Sequence, residues 1–191
     1  MRYSPEHKAE VHQKIVKDAA RRLRSEGLTG AAVSGVMRDA GLTHGGFYKH
    51  FADKNELLIE SLKEGFRETC ARLTEAAESA EPDLAWKAIV RTYLSPEHCD
   101  HPEFGCPVAA LAPELARAEK AMKPRINEQI KTYRARMLPF MPGRRKTDKE
   151  RAYFAIFSTM IGAVAIARIL PDRKARTAVL ASARDFLLRS F

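Results

Sequence analysis

Apolar residues recur every four positions along the first stretch of the chain, at Val11, Ile15, Ala19 and Leu23, and that spacing admits one regular structure. Residues four apart share a face of a helix, whereas a half-buried strand needs alternation at every second position. None of the 191 residues lies in a segment that sustains such alternation. The chain therefore reads as all-α, cut by turn signals into about nine helices.

Ser4 followed by Pro5 opens the first helix, a capping hydroxyl before a proline whose missing N–H costs nothing there. Gly27 closes it. A short helix follows over about 33–40 with Val33, Val36 and Met37 inward, and Ala31-Ala32 stands where a capping hydroxyl is expected. Gly41-Leu42-Thr43 reads as a tight turn in which Thr43 caps a second short helix, about His44 to Phe51. Asp53 to Glu56 has the form of a capping box, opening a long helix with Leu58, Leu62, Phe66, Cys70 (or Thr69) and Leu73 on one face. Glu81-Pro82-Asp83 breaks it. The next helix carries Trp86, Ile89, Val90 and Tyr93 and ends at Ser95-Pro96.

"PEHCDHPEFGCP", with three prolines, reads as a loop. Helical patterns resume over Val108 to about Ala116 and about Glu119 to Leu138, followed by the basic linker "LPFMPGRRK". Thr147 with Glu150 forms another capping box for an apolar helix to Leu170. Pro171-Asp172 restarts the last helix, through Ala178, Leu180, Phe186 and Leu187.

Charge narrows the function. The formal net charge is +9, which suits a polyanionic partner, and residues 1–54 hold ten Lys/Arg against six Asp/Glu. Three cysteines are too few and too odd a set for a disulfide framework, so a reducing, cytoplasmic compartment is expected. The charged, polar residues after Met1 give no sign of a signal peptide. Sixteen uncharged residues lie between Arg151 and Arg168, fewer than the roughly 20 that span a bilayer, and a core or interface helix is the expectation there. Neither a P-loop nor a catalytic Ser-His-Asp or zinc-protease pattern occurs. No enzyme activity, cofactor or metal is expected.

The segment "GLTHGGFYKHFADKNELL" (residues 41–58) carries the sharpest signal. Two short helices joined by "AGLT" have the length and turn chemistry of a helix-turn-helix. Gly45 and Gly46 would each cost a helix roughly 1 kcal/mol relative to Ala, unless bare backbone serves to let another molecule come close. Tyr48 and Lys49 can bond phosphates, as can Lys54 in the first turn of the next helix. His44 and His50 can donate or accept in a groove. Phe47 and Phe51, four apart, face the core.

These residues resemble the DNA-binding domain of TetR-family transcriptional regulators: Ala40-Gly41-Leu42-Thr43, then Phe47, Tyr48, His50 and Phe51, then Lys54 and Glu56-Leu57-Leu58. "GCPVAALAPELA" (105–116) is similar to the ligand-domain segment of one subset of that family. The resemblance implies an N-terminal three-helix DNA-binding domain with the helix-turn-helix, residues 1–52, and a larger helical effector-binding and dimerisation domain, residues 53–191. It implies that Thr43, His44, Gly45 and Gly46 approach bases, that Tyr48, Lys49 and His50 meet backbone or adjacent bases, and that Lys54 holds a phosphate. Ser34 sits where the family often touches DNA. Ala31-Ala32 departs from the family's hydroxyl residue.

It further implies a repressor bound to a palindromic operator as a homodimer, through helices of about 148–170 and 173–189, where Ala155, Thr159, Gly162, Ala163 and Ala167 allow close packing. A small-molecule effector is expected to move the helix that opens at Asp53 and release the DNA. Trp86, Tyr93, Phe104, Cys106, Met122, Tyr133 and Met137 are its candidate lining residues. The alternative is a redox- or electrophile-sensing repressor acting through the Cys106 thiol, with Cys99 near enough in sequence to resolve an oxidised form. His98, Cys99, His101 and Cys106 could supply metal ligands, but their spacing matches no strong zinc pattern.

Overall fold

The computed structural model describes residues 4–30 and 32–191, without the side chains of Thr29, Gly30 and His44. Among the described residues there are nine α-helices, short 3₁₀ segments and no strand. α1 (Pro5–Gly30), α2 (Val33–Asp39), a 3₁₀ segment (His44–Lys49) and the start of α3 (Lys54–Glu78) form the N-terminal part. α4 (Ala85–Tyr93), α5 (Pro96–Asp100), α6 (Pro107–Ala116), α7 (Lys123–Met137), α8 (Lys146–Ile169) and α9 (Arg173–Ser190) make the rest.

Helix ends follow the side chains able to satisfy free N–H groups. Ser4 Oγ accepts from His7 N, Asp53 Oδ1 from Glu56 N and Asp172 Oδ2 from Ala175 N. Gly27 breaks α1 with φ 76°, so its last residues leave the first helical axis. Gly41, with φ 75°, makes the turn after α2.

Several expectations change. Thr43 makes no capping bond, and the helix it was to cap is a six-residue 3₁₀ segment. The proline-rich stretch is no plain loop: Ser95 Oγ caps α5, and Pro102–Phe104 is a 3₁₀ turn. α7 begins at Lys123 rather than near Glu119. Arg145 and Asp148, not Thr147 and Glu150, form the box that opens α8. Its full length of 24 residues makes α8 long and apolar enough to cross a membrane by length and composition. Its inner face nevertheless packs Ile156, Phe157, Met160 and Val164 into the protein core. Ala31 lies outside the described residues. Ala32 precedes α2 without a side-chain cap.

Among the described residues, three apolar clusters run down the molecule. The N-terminal one joins Ile15, Val16, Ala19, Val36, Met37, Phe47, Phe51 and Leu57. The middle one joins Leu23 of α1, Ile59 and Leu62 of α3, Leu111 and Leu115 of α6, and Met122 and Ile126. The largest lies among α3, α4, α7, α8 and α9. α3 contributes to all three and is the common spine.

Candidate nucleic-acid interface

The 3₁₀ segment stands on an aromatic base. Phe47 and Phe51 are each 2% exposed, with stacked rings 5.3 Å apart. Phe51 also stacks on His12 of α1 at 4.7 Å. With two rings anchored beneath, the polar residues between them turn outward. Tyr48 is 69% exposed, its ring edge-on to Phe47, and Thr43, Gly45, Lys49 and Lys54 are exposed beside it. Ser34, in the first turn of α2, is exposed as well. The side chain of His44 lies outside the described residues.

His50 is placed differently from its neighbours. Its ring is half-buried and tilted 6.0 Å from the ring of His12, and Nδ1 has no partner among the described residues. Burial, reinforced by the neighbouring charges of His12, Lys8 and Lys49, pushes its pKa below the ordinary imidazole value. His12 in turn meets Glu60 of α3, Nε2 to Oε2 at 2.8 Å.

The space around the glycines discriminates between reasons for having them. A Cβ built on Gly45 meets nothing within 4 Å, and one on Gly46 meets Met37 and Thr43 only at ordinary contact distance. Neither has a positive φ. Neither the packing nor the backbone of this chain requires glycine at these two positions. The opposite holds at Gly105, where a Cβ would lie 2.7 Å from Arg168 Nη2 and 3.0 Å from the His98 ring.

The second polar segment, 98–106, is a buried clasp. His98 Nδ1 lies 2.7 Å from the Tyr93 carbonyl and must donate to it, while Nε2 accepts from Cys106 N–H at 2.9 Å. Both ring nitrogens are committed, which fixes the tautomer and keeps the ring neutral. Burial, aided by the charges of Arg168 and Arg72, lowers its pKa to about 4 despite the opposing bond to Tyr93. Arg168 of α8 donates to the carbonyls of His98 and Cys99. Thr69 shares its hydroxyl hydrogen between the Gly65 carbonyl, at 2.9 Å, and that of Gly105, at 3.2 Å, and Arg24 donates to the latter at 3.4 Å. The Arg24 side chain is 1% exposed and pairs with Glu68 at 2.6 Å. One turn further along α1, Leu28 N–H donates to Glu114 of α6. The 98–106 segment and α6 are thereby tied to the helix that carries the N-terminal cluster.

Sequence reasoning missed Arg24 and Arg168. Each falls four residues after a buried residue, Ala20 and Val164, and a charge in an apolar register was the available signal.

Five of the seven expected effector contacts share one cluster and two lie apart from it. Trp86, Tyr93, Cys106, Tyr133 and Met137 lie in the large core, whereas Met122 belongs to the middle cluster. Phe104 is exposed under the Arg21 guanidinium at 5.3 Å. Cys106 is fully buried and Cys99 nearly so, and burial pushes the Cys99 thiol pKa up. The small residues of α8 also divide. Ala155, Thr159 and Gly162 lie toward the surface, a Cβ on Gly162 meets nothing within 4 Å, and Ala163 and Ala167 are buried in the core. Ile166 and Ile169 continue the outer stripe, the latter 80% exposed.

Residues 15–60 match the model of the family described as bacterial regulatory proteins, tetR family. A TetR-family transcriptional regulator from Cytophaga hutchinsonii superposes with a TM-score of 0.76 at 20% identity, covering 98% of this chain and 97% of that one. A TetR transcriptional regulator from Chloroflexus aurantiacus gives 0.74 at 23% identity, covering 95% and 94%. The regulator FadR from Bacillus subtilis, solved in complex with stearoyl-CoA, gives 0.69 at 20%, covering 94% and 98%. No curated protein matches the chain in sequence. Residues 15–60 therefore carry the helix-turn-helix of the tetR family, and the whole chain has the fold of the TetR regulators on which it superposes.

Proposed function

We propose that this protein is a transcriptional repressor that binds a palindromic operator as a homodimer and leaves it when a small molecule binds. The observation that carries the DNA reading is the open space at Gly45. It lies among exposed Thr43, Tyr48, Lys49 and Lys54, on a segment held from behind by Phe47 and Phe51. Bare backbone there lets a groove wall or base edge approach, and the surrounding hydroxyls and amines suit phosphates. Ser34 and His44 complete the proposed contact set. Gly46 keeps the backbone bare beside Gly45, and the inward-turned His50 supports the segment from beneath more than it reaches out.

One such short segment reads few base pairs, so two copies are needed, spaced about 34–36 Å on successive turns of the major groove. The outer stripe of α8 supports the dimer. Ala155, Thr159, Gly162, Ile166 and Ile169 recur at helical spacing, and Phe186 of α9 is exposed with them. A second copy covering this stripe would bury side chains that water otherwise wets. The division into a reading part, residues 1–52, and an effector and dimer part, 53–191, is kept on functional grounds, with α3 crossing the boundary.

Release needs only an effector that prefers the geometry incompatible with DNA. Complexes such as that of the Bacillus subtilis FadR with stearoyl-CoA support a small molecule in this role. The clasp through Arg24 and Gly105 offers a route from the helical body to α1. Burial of Cys106 and Cys99 speaks against thiol sensing as the trigger.

Selection of duplexes from a random pool tests the proposal. The expected product is a palindrome bound by two chains. A pool that yields no enriched sequence, or one chain on a site without symmetry, would reject it.

A further inference from the structure

A crevice of about 330 Å³ lies where α1, the first turns of α3 and the α6–α7 turn meet. That volume falls at the small end of ligand pockets, which run from roughly 300 to 1,000 Å³. Its apolar surface comes from both parts of the molecule, with Leu28 and Val33 on one side, Leu57 and Leu58 from α3, and Met122 opposite. Among the described residues, the charged lining is Lys54 and Arg117, both exposed, and one carboxylate, Glu119. The rim is therefore cationic on balance.

A second observation points to a ligand. Ser61 lines the crevice, is 2% exposed, and its Oγ has no hydrogen-bond partner among the described residues. The hydroxyls of Ser25, Thr69, Thr177 and Ser190 each donate to the carbonyl four residues earlier, which is how helices ordinarily satisfy such groups. Ser61 leaves that option unused. Lys54 and Ser61 lie two turns apart on the same face of α3, about 10 Å along the axis.

We propose that this crevice binds an acyl-chain carboxylate bearing a hydrogen-bonding oxygen some way down the chain. The carboxylate pairs with Lys54 and Arg117, the chain lies along Leu58, Val33 and Met122, and the distal oxygen accepts from Ser61 Oγ. Such a ligand occupies Lys54, so it competes with the phosphate that Lys54 would otherwise hold. This last consequence rests on the DNA reading; the binding site does not.

Calorimetry on the full chain, with decanoate and 10-hydroxydecanoate as probes below their micellar range, tests the site without DNA. Both are expected to bind, the hydroxy acid several-fold tighter, and Ser61→Ala should erase that preference while keeping decanoate affinity. Leu58→Trp, which fills the crevice from a partly exposed position, should weaken both at least tenfold. Should it fail to fold, Lys54→Gln, at an exposed position, is expected to weaken both about fivefold. Absence of binding by either acid, indifference to Leu58→Trp or to Lys54→Gln, or a preference that survives Ser61→Ala would each overturn the proposal. Competition against an enriched duplex then tests the coupling. Failure of the ligand-free protein to bind any duplex would instead count against the DNA reading and leave the calorimetric result standing.

Discussion

Two segments of this chain look alike as sequence and behave in opposite ways. "THGGFYKH" (43–50) and "HCDHPEFGC" (98–106) both combine histidines, glycine and aromatics between helices. In the first, the rings of Phe47 and Phe51 point in, the amine and hydroxyl groups point out, and Gly45 faces open space. In the second, His98 points in with both nitrogens bonded, Phe104 lies outside, and Gly105 has no room for a methyl group. A glycine whose own structure does not need it points to a partner. A glycine that its neighbours fill points to the fold.

Substituting each glycine by alanine should separate the two kinds. Gly105→Ala drives a methyl group into Arg168 and His98. Overpacking of this kind costs about 1–3 kcal/mol, and displaced hydrogen bonds add to it. Gly45→Ala should change stability by no more than about 0.5 kcal/mol. Urea unfolding of both variants is the check, and equal losses would mean that the two glycines have the same job.

His98 sharpens the closed side through pH. The unfolded chain protonates this imidazole near 6.5 and the folded chain only near about 4. Stability from this group is therefore complete above pH 6.5 and falls as pH drops toward 4, by about 3 kcal/mol in total. His98→Gln should flatten that part of the stability profile. An unchanged slope between pH 4 and 6.5 would show that the ring titrates normally.

The outer stripe of α8 extends the open side, since Gly162 also faces empty space. Ile169→Glu combined with Ile166→Glu should give a monomer by sedimentation and lower duplex affinity roughly 100-fold through lost bivalency. A dimer that survives both charges would place the interface elsewhere. The smallest effect belongs to Lys54→Ala. It should weaken binding to every duplex to a similar degree and reduce the log–log salt slope by about 1.

Much of this was legible in the residues. Ser4, Asp53 and Asp172 mark helix starts because short oxygens accept from free N–H groups there, and Phe47 and Phe51 announce their burial by spacing. The 3₁₀ form of residues 44–49 was not legible. Its two glycines weaken α-helix, but the sequence does not say what replaces it. The partners of Arg24 and Arg168 were not legible, because the carbonyls of residues 98, 99 and 105 are backbone groups that every sequence shares and Glu68, which pairs with Arg24, is one carboxylate among many. The inward turn of Ala163 and Ala167 was equally hidden, because alanine suits a core and an interface alike. Nor did spacing show that Trp86, Tyr93, Cys106, Tyr133 and Met137 share one cluster while Met122 belongs to another and Phe104 to the surface.

The central claim is that the backbone at Gly45 is bare because DNA comes close to it. Affinity of the Gly45→Ala protein for a duplex enriched by the unaltered protein, measured at one fixed salt concentration, tests this most directly. At least a tenfold loss is expected, with the urea midpoint unchanged. Undiminished affinity would contradict it.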